Sequence, residues 1–272
     1  SFFLHLIKSI IFFVIRVINM MSITLFLMVQ DGYRGGMKKY DFSLTSLWRA
    51  FVLVFLPITA YSLGLVPSLL SFFYILPFFS FTNPVHIVLF AFFLVGEFFL
   101  FMIFETLVPG LFLKIFRIRC EEGLFDVSIK DKTFFKLGLH NMLYRPPLKL
   151  IEQFKLFPLR RLHHKLAGLK IDKTSILPGT ELFYDPYVTE IGKNTLFGGY
   201  VKITGHMIED RMRIKKVKIG DNCMIGAETY IMAGAVIEDN VTVGIRSVVT
   251  KDQVLKEGKT YVGAPARAIK SK

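Results

Sequence analysis

Long apolar runs occupy most of the first 116 residues of the chain. Residues 2–29 contain two Lys or Arg residues and no acid, residues 51–81 contain no charge, and residues 85–116 contain three charged residues. Each run is longer than the roughly 20 residues that a helix needs to cross a bilayer. A cleaved signal peptide would be shorter and would not be followed by two further runs. The pattern therefore predicts three transmembrane helices, at about residues 2–29, 50–81 and 85–113.

The second run contains three prolines, Pro57, Pro67 and Pro77. Proline inside a helix removes a hydrogen bond and clashes with the preceding turn. We therefore expect this run to be either a kinked helix or a re-entrant pair of shorter helices.

Basic residues are distributed unevenly around the runs. The joint at residues 30–49 contains four Lys or Arg residues, and Lys114, Arg117 and Arg119 lie at the end of the third run, whereas residues 82–83 carry no charge. Short loops rich in Lys and Arg stay on the cytoplasmic side. The prediction is an integral membrane protein with its amino terminus outside, and with everything after residue 116 in the cytoplasm or an equivalent positive-inside compartment.

Two acidic residues, Glu97 and Glu105, lie within the third run. A charge inside a bilayer is costly unless it is paired. In the predicted orientation Arg16 and Glu97 reach a similar depth, so we expect them to form an ion pair. The alternative is that Glu97 lines a polar path for an acceptor that crosses the membrane.

Residues 117–168 are predicted to form a basic, amphipathic juxtamembrane collar. Within it, apolar residues alternate with basic ones at Arg145, Lys149, Lys155, Arg160, Arg161 and Lys165. Such a stretch suits anionic lipid headgroups, although an ordinary solvated helix face is the alternative. His163 and His164 lie in this collar and are expected at the surface. The collar accounts for the net charge of +13 better than nucleic acid does, since no nucleic-acid-binding signature is present.

From residue 219 the chain repeats every six residues. The first place of the hexad is aliphatic at Ile219, Ile225, Ile231, Ile237, Val243 and Val249. The fifth place is small or β-branched at Cys223, Thr229, Ala235, Val241 and Ser247. A period of six cannot be one face of a helix, but it fits short strands joined by tight turns, three to a coil, around an aliphatic core. Cys223 is therefore expected in the core and not as a nucleophile.

Composition excludes several other classes. With 53% hydrophobic and 20% charged residues the chain is not a disordered protein. Two cysteines do not make a disulfide scaffold. His206 is the only histidine after residue 168, so a metal site made from several histidines of the repeats is not expected.

The hexads, the closing stretch GAPARAIK at residues 263–270 and the Thr-Gly-His that opens a break between residues 203 and 219 resemble the hexapeptide-repeat acyltransferases. The resemblance covers about residues 168–270. It implies a left-handed parallel β-helix that usually assembles as a homotrimer. The whole layout also resembles the membrane-bound carboxy-terminal region of poly-lysine-synthetase-like nonribosomal peptide synthetases. Ser at position 1 is what a fragment or processed product of such a longer protein would show.

The resemblance implies transfer of an acetyl or other acyl group from acyl-CoA, as co-substrate, to a hydroxyl or amine. In the family the histidine at this break is the general base, which assigns that role to His206 and suits the pKa of imidazole. Its second ring nitrogen would need an orienting acceptor, for which Glu209, Asp210 and Glu190 are the candidates. A solvated loop histidine is the alternative.

The same resemblance places coenzyme A in the groove between neighbouring subunits. Ala227 and Ile245 would offer backbone groups to the pantetheine arm. Thr250 and Lys251 would lie near it, and Arg267 and Lys270 would meet the phosphates. Solvated turn and tail residues are the alternative for these four. The chain departs from the soluble branch of the family at Met224, where a Trp is usual, and at Ile245, where a small residue is usual.

The sequence thus predicts a transmembrane region at residues 1–116, the collar, a left-handed β-helix at residues 169–262 and a tail at residues 263–272. Two functions remain open. The first is a membrane-anchored, CoA-dependent acyltransferase that uses His206. The second is a non-catalytic scaffold or assembly subunit of a larger membrane complex or synthetase, whose upstream domains would be its partners.

Overall fold

The computed structural model describes residues 30–31, 39–40 and 43–269. Arg16, the first predicted span and Lys270 therefore lie outside the described residues. Strand β1 (Gln30–Asp31) pairs antiparallel with β2 (Lys39–Tyr40).

Two long helices come next, α1 (Leu44–Ile75) and α2 (Pro84–Ile115), each of 32 residues. The side chain of Ser43 caps α1, and that of Asn83 caps α2 by accepting from the Val85 N–H at 2.9 Å. Both helices are long and apolar enough to cross a membrane, by length and composition alone. They coincide with the second and third predicted spans.

Helix α1 runs without interruption past Pro57 and Pro67. Of the two alternatives expected for this run, the structure has the single helix and not the re-entrant pair. Only Pro77 lies at an end, in a 3₁₀ turn at Leu76–Phe78. Helix α1 packs against α2, and these contacts stabilise it although each proline removes a hydrogen bond.

The acidic residues of α2 are held by the helix pair. Ser71 Oγ of α1 donates a 2.6 Å hydrogen bond to Glu97 Oε1. Glu105 is 2% exposed. Burial of a carboxyl group in an otherwise apolar interface is unusual, and it marks the contact between α1 and α2 as partly polar.

Two further helices connect the apolar pair to the strands. Strand β3 (Gly123–Phe125) is followed by α3 (Lys132–Gln153) and α4 (Phe157–Leu166). Helix α3 is packed on more than one side, because its buried residues share a core cluster with Leu53 of α1, Leu113 of α2 and Met212 of a later strand. The predicted collar therefore packs between the long helices and the strands, while Lys149, Lys155 and Lys165 remain exposed.

The two arginines of α4 also have partners inside the protein. Arg160 is 4% exposed, and its Nε donates to Glu181 Oε1 at 3.0 Å. Arg161 donates to the backbone oxygens of Ser175 and Asp172, at 2.9 and 2.6 Å. These arginines bind the first turns of the strand region and are not free for lipid headgroups.

His163 and His164 are both completely buried, so their predicted surface position is wrong. The ring of His163 joins two helices, with Nδ1 3.1 Å from the Thr106 oxygen of α2 and Nε2 2.9 Å from the Tyr144 oxygen of α3. The ring of His164 lies between the Tyr144 hydroxyl (2.7 Å) and Glu181 Oε1 (3.2 Å). Burial lowers the pKa of His163 to about 4, so it is neutral at pH 7.

Short strands make up the rest of the chain. Their bounds are β4 (Lys170–Ile171), β5 (Leu182–Phe183), β6 (Thr189–Ile191), β7 (Leu196–Phe197), β8 (Lys202–Ile203), β9 (His206–Ile208), β10 (Met212–Ile214), β11 (Val217–Ile219), β12 (Met224–Ile225), β13 (Tyr230–Ile231), β14 (Val236–Ile237), β15 (Thr242–Val243), β16 (Val248–Val249), β17 (Val254–Leu255), β18 (Thr260–Val262) and β19 (Arg267–Ala268). A 3₁₀ turn at Pro186–Val188 precedes β6.

Most of these strands stack in three parallel sheets. The orders are β4-β6-β11-β14-β17, β7-β12-β15-β18 and β5-β8-β13-β16, and β19 pairs antiparallel with β18. Ile219 pairs with Ile237, and Ile225 with Val243, so partners are 18 residues apart. Since consecutive strands enter different sheets, every third hexad returns to the same sheet, and the predicted period is confirmed.

The aliphatic places of the hexads form one core. Ile219, Ile225, Ile231 and Val249 are at most 3% exposed. Cys223 is 2% exposed in the same core, which confirms its predicted packing role. The corners between the strands contain residues with positive φ, such as Asn222 (55°), for which Asn pays a low steric cost.

The period breaks where β9 and β10 leave the parallel sheets as an antiparallel hairpin. Residues 212–214 of this hairpin also pair antiparallel with residues 123–125 of β3. The hairpin therefore contacts the segment that follows α2. Its first strand begins at His206 and lies beside the core of the helical layer.

Candidate functional site

His206 follows the end of β8 by three residues. The preceding residue, Gly205, lies so close to Val188 that a side chain at this position would collide with it. The backbone N–H of Gly205 donates a 2.8 Å hydrogen bond to Asp185 Oδ2. The turn into the hairpin is thus fixed against the 3₁₀ turn that begins at Pro186, and the imidazole is carried on rigid backbone.

Asp185 is the centre of this site. The carboxylate is fully buried, and its Oδ2 accepts from His206 Nδ1 at 2.7 Å and from the His206 backbone N–H at 3.1 Å. Its Oδ1 accepts from the Tyr187 hydroxyl at 2.9 Å. Because a carboxylate only accepts hydrogen bonds, the contact assigns the proton of a neutral His206 ring to Nδ1 and leaves Nε2 with its lone pair.

The His206 side chain is 21% exposed. Within residues 43–269 no hydrogen bond engages its Nε2. The ring is therefore held on its buried edge by Asp185, while its other nitrogen is available to a small molecule.

The pKa values of the pair follow from competing effects. Burial alone would lower the pKa of His206, but the hydrogen bond to Asp185 and the charge of that carboxylate outweigh burial and raise the pKa above the ordinary 6.5. Burial would likewise raise the pKa of Asp185, yet its hydrogen bond and charge interaction with His206 hold it below the ordinary 3.8. Asp185 is therefore a carboxylate at pH 7, and it stabilises the protonated form of the imidazole, as the partner of a general base does.

The acidic residues predicted to orient His206 lie in other contacts. Glu209 accepts from Lys251 Nζ at 2.5 Å. Glu190 forms ion pairs with Lys170 at 2.8 Å and Lys216 at 3.3 Å. The contact to the His206 ring that was expected of Glu209, Asp210 or Glu190 is made by Asp185 instead.

Asp185 was missed because it lies 21 residues before His206, where the hexad period is weak. Its sequence context, Tyr-Asp-Pro, contains only a hint, since an acid before a proline at the start of a coil suggests a fixed turn. Spacing alone does not show that β5 and β8 are neighbours, which is what brings the two residues together.

The residues predicted to contact coenzyme A lie at two corners of the stacked strands. Ala227 and Ile245 occupy the same corner of successive coils, each after a glycine. A side chain at Gly226 would meet the backbone N of Ile245 at 2.5 Å, so the two coils are in close contact here. Ile245 is 71% exposed, and Met224 on the adjacent strand is 52% exposed.

Thr250 and Lys251 lie at a different corner, between β16 and β17, beside the hairpin. The Thr250 hydroxyl donates to Gln253 Oε1 at 3.1 Å, and Lys251 reaches the hairpin through Glu209. Arg267 is exposed on β19. Within one chain the described residues therefore bring Lys251 close to the hairpin but leave Ala227 and Ile245 on another edge.

Comparison with known proteins bears on these repeats. Residues 216–251 match the family model described as bacterial transferase hexapeptide (six repeats). These residues are hexapeptide repeats. The match covers the centre of the stacked strands and ends just before the turn at Asp252.

Curated relatives are similar over about a third of this chain. A putative acetyltransferase, YvoF, of Bacillus subtilis (strain 168) is 38% identical over 88 residues, 32% of this chain and 50% of the relative. The galactoside O-acetyltransferase of Escherichia coli (strain K12) is 33% identical over 94 residues, 32% of this chain and 45% of the relative. The Delta-poly-L-ornithine synthetase of Acinetobacter baumannii (strain AB307-0294) is 29% identical over 104 residues, 38% of this chain and 8% of the synthetase. The chain thus spans half or less of the length of these curated relatives.

Solved structures give the same kind of match. A maltose O-acetyltransferase from Clostridium difficile 630 is 21% identical to this chain, with a TM-score of 0.41. The alignment covers 55% of this chain and 92% of the acetyltransferase. A galactoside acetyltransferase in complex with coenzyme A is 20% identical to this chain, with a TM-score of 0.32. The alignment covers 46% of this chain and 80% of the acetyltransferase. The sequence matches confirm the resemblance to hexapeptide-repeat acyltransferases, and they include a poly-ornithine synthetase.

Proposed function

We propose that this chain is a membrane-anchored acyltransferase that transfers an acyl group from acyl-CoA to a hydroxyl or amine, with His206 as the general base. The observation that carries the proposal is the 2.7 Å contact between His206 Nδ1 and the buried carboxylate of Asp185. It fixes the ring and directs the lone pair of Nε2 outward. The acetyltransferase names of two relatives supply the reaction class.

In the proposed step, Nε2 removes the proton from the acceptor O–H or N–H while the acceptor oxygen or nitrogen attacks the thioester carbonyl carbon. The tetrahedral intermediate then collapses. The carbon–sulfur bond breaks, the thiolate of coenzyme A leaves with the bonding electrons, and the imidazolium returns the proton to sulfur. Asp185 stabilises the imidazolium that forms in between, because it is an ionised acceptor already in contact with Nδ1.

Acyl-CoA would bind as a co-substrate along the exposed corner of Ala227 and Ile245. The coils are close and the Ile245 side chain is exposed there, which suits an extended pantetheine arm. Arg267 supplies an exposed cation for the phosphates. The exposed side chains of Met224 and Ile245 narrow this edge, and they are the features that a scaffold with a blocked groove would also have.

The assembly is proposed to be a trimer of left-handed β-helices. Support comes from the apolar side chains that point outward from the sheet of β7 and β12, where Leu196 is 42% and Met224 52% exposed. Exposed apolar side chains in a row favour a subunit contact. Because the corners of Lys251 and Ala227 lie apart in one chain, a neighbouring subunit would be needed to complete the site.

Helices α1 and α2 are proposed to anchor the enzyme in a membrane. Large apolar side chains cover their outer surface, among them Trp48 (63% exposed), Phe73 (66%) and Phe92 (74%). Such a surface is not compatible with water over its whole length. The repeats would face the cytoplasm, as the positive-inside rule indicates.

The test uses the full chain in detergent, with acetyl-CoA binding followed by calorimetry and CoA release followed with a thiol reagent. His206→Ala should retain binding and lose about 10²- to 10⁴-fold in turnover of hydroxyl or amine acceptors, the usual contribution of a general base. Asp210→Asn is the matched control, an exposed carboxyl on the same hairpin, and it should keep full turnover. Absence of acetyl-CoA binding to the wild-type chain would instead favour a non-catalytic scaffold.

A further inference from the structure

A guanidinium group lies over the ring of Tyr184, the residue before Asp185, and among residues 43–269 it has no acidic partner. Arg145 of α3 is half-buried, and its Cζ lies 5.2 Å from the centroid of the Tyr184 ring. Tyr184 immediately precedes Asp185 in the chain. Burial and, to a lesser extent, the positive charge of Arg145 act to lower the pKa of His206, against the contact with Asp185 that raises it.

The position of Arg145 is fixed by the two residues that follow it. Pro146 and Pro147 are buried and continue the helix, although neither can donate a backbone hydrogen bond. Pro146 has no N–H to donate to the carbonyl of Met142. That carbonyl instead accepts a 2.7 Å hydrogen bond from the Tyr61 hydroxyl of α1. This turn of α3 is therefore locked against α1, and Arg145 starts from a rigid backbone.

The buried carboxylates of the neighbouring coil are bound by other residues. Asp185 is bound to His206, and Glu181 accepts from Arg160. In the part of the chain from residue 43 to residue 269, Arg145 forms no ion pair or hydrogen bond, only the ring contact. A guanidinium that is partly desolvated and stacked on an aromatic ring is arranged for bidentate recognition of a carboxylate or phosphate.

Coenzyme A does not supply that anion if its thioester lies at His206. The phosphates of the co-substrate are at the far end of the pantetheine arm from the thioester carbon. A cation next to the base therefore faces the second substrate, the acceptor.

We propose that Arg145 and the ring of Tyr184 form a subsite for an anionic group, a phosphate or a carboxylate, on the acceptor of acyl transfer. This inference rests on the proposed acyltransferase function, because it names the class of acceptor for the same site. The anion would pair with the guanidinium, the body of the acceptor would lie on the exposed part of Tyr184, and its nucleophilic hydroxyl or amine would be directed at His206 Nε2.

The experiment measures CoA release by the full chain with three acceptors that share one ring: glucose, glucose 6-phosphate and glucuronate. The wild type should prefer an acidic sugar, and the choice between the two identifies the anion. Arg145→Gln should reduce the ratio of kcat/KM for the acidic and neutral sugars about 10- to 100-fold, which is the effect of losing a charge-assisted hydrogen bond. Arg145→Lys should retain part of the preference for the acidic sugar. Lys149→Gln, one turn further along α3 and paired with Glu152, is the matched control and should keep it.

A second measurement does not depend on turnover. Diethyl pyrocarbonate modifies accessible histidines, and mass spectrometry would follow the peptide that contains His206. Phenyl phosphate should slow this modification in the wild type and not in Arg145→Gln, and phenol should have no effect on either. Protection without any CoA release from acetyl-CoA would leave the anion subsite standing and refute the acyltransferase. An equal loss of turnover on all three sugars in Arg145→Gln, or no protection by phenyl phosphate, would overturn the subsite.

Discussion

Substitution of Glu181 tests whether the charged cluster beneath α4 holds the helices to the strand region. Glu181 is 1% exposed; its Oε1 accepts from Arg160, and its Oε2 accepts from the Gly179 backbone N–H at 2.7 Å. Burial would raise the pKa of this carboxyl, but the hydrogen bond from His164 and the charge of Arg160 lower it to about 2. Against the ordinary 4.5, that difference corresponds to about 3 kcal/mol of stabilisation at pH 7.

Glu181→Gln removes the charge and keeps the shape. Breaking a buried pair by neutralising one partner costs about 3 to 5 kcal/mol, because the remaining charge stays buried without compensation. The two figures agree near 3 kcal/mol. For a chain of this size each kcal/mol lowers Tm by about 2 to 4 °C, so we expect a decrease of about 6 to 12 °C.

The two buried cysteines provide the assay. Cys120 is 5% and Cys223 2% exposed, so a maleimide dye that becomes fluorescent on reaction reports their exposure as the full chain unfolds in detergent. Glu228→Gln is the matched control, since Glu228 contacts Arg246 at 2.9 Å but both side chains are exposed. Solvent screens such a pair, and Tm should hardly change.

Two outcomes would refute this account of the cluster. One is an equal change of Tm in Glu181→Gln and Glu228→Gln, because only Glu181 is buried and bound by several donors. The other concerns pH. A lowered carboxyl pKa adds stability above the unfolded value near 4.5 and loses it as the pH falls toward 2. The gap between wild type and Glu181→Gln should therefore narrow from pH 5 to pH 2, and a constant gap would contradict the electrostatic cause.

Two further predictions concern the base and the stacked coils. The pKa of His206 is raised, and a base acts only when unprotonated, so kcat/KM for CoA release should increase with pH through a midpoint above 6.5; a midpoint at or below that value would contradict the role of the neighbouring carboxylate. Gly226→Ala should destabilise the chain by about 1 to 3 kcal/mol, because its Cβ would press on the backbone of Ile245. In the same dye assay Gly199→Ala should have a smaller effect, since its nearest obstacle is the flexible Thr180 hydroxyl at 3.3 Å.

The stacked strands could be predicted because their signal is local and repeated. Each hexad carries its own aliphatic residue and its own turn, so the register of Ile219 with Ile237 follows from counting. The two long helices were predictable for a similar reason, since every residue of an apolar run contributes to the same signal. Pro57 and Pro67 left two alternatives open because the cost of a proline is local, whereas packing against α2 stabilises the helix as a whole.

The layer between helices and strands could not be predicted in the same way. His163 and His164 follow two arginines, and a run of basic residues ordinarily lies in solvent. Here α4 has partners on several sides, so the polar atoms of the run are bound by Tyr144, Glu181 and backbone oxygens. Asp185 escaped notice for a related reason, because its contact with His206 depends on which coils are neighbours and not on spacing within one coil.

The hairpin that carries His206 has a consequence for how this protein can be divided. A protein shortened to begin at Gly168 would keep every hexad, yet it would lose β3, which pairs with β10, and the helical layer that buries Met212 and Ile214. The outer edge of the hairpin would then be open to water or to another chain. Such a fragment should aggregate or lose the geometry of the His206–Asp185 pair even though its repeats are intact. The boundary visible in the composition of the chain is therefore not a place where it can be cut, and the helical layer and the repeats should be expressed and purified as one unit.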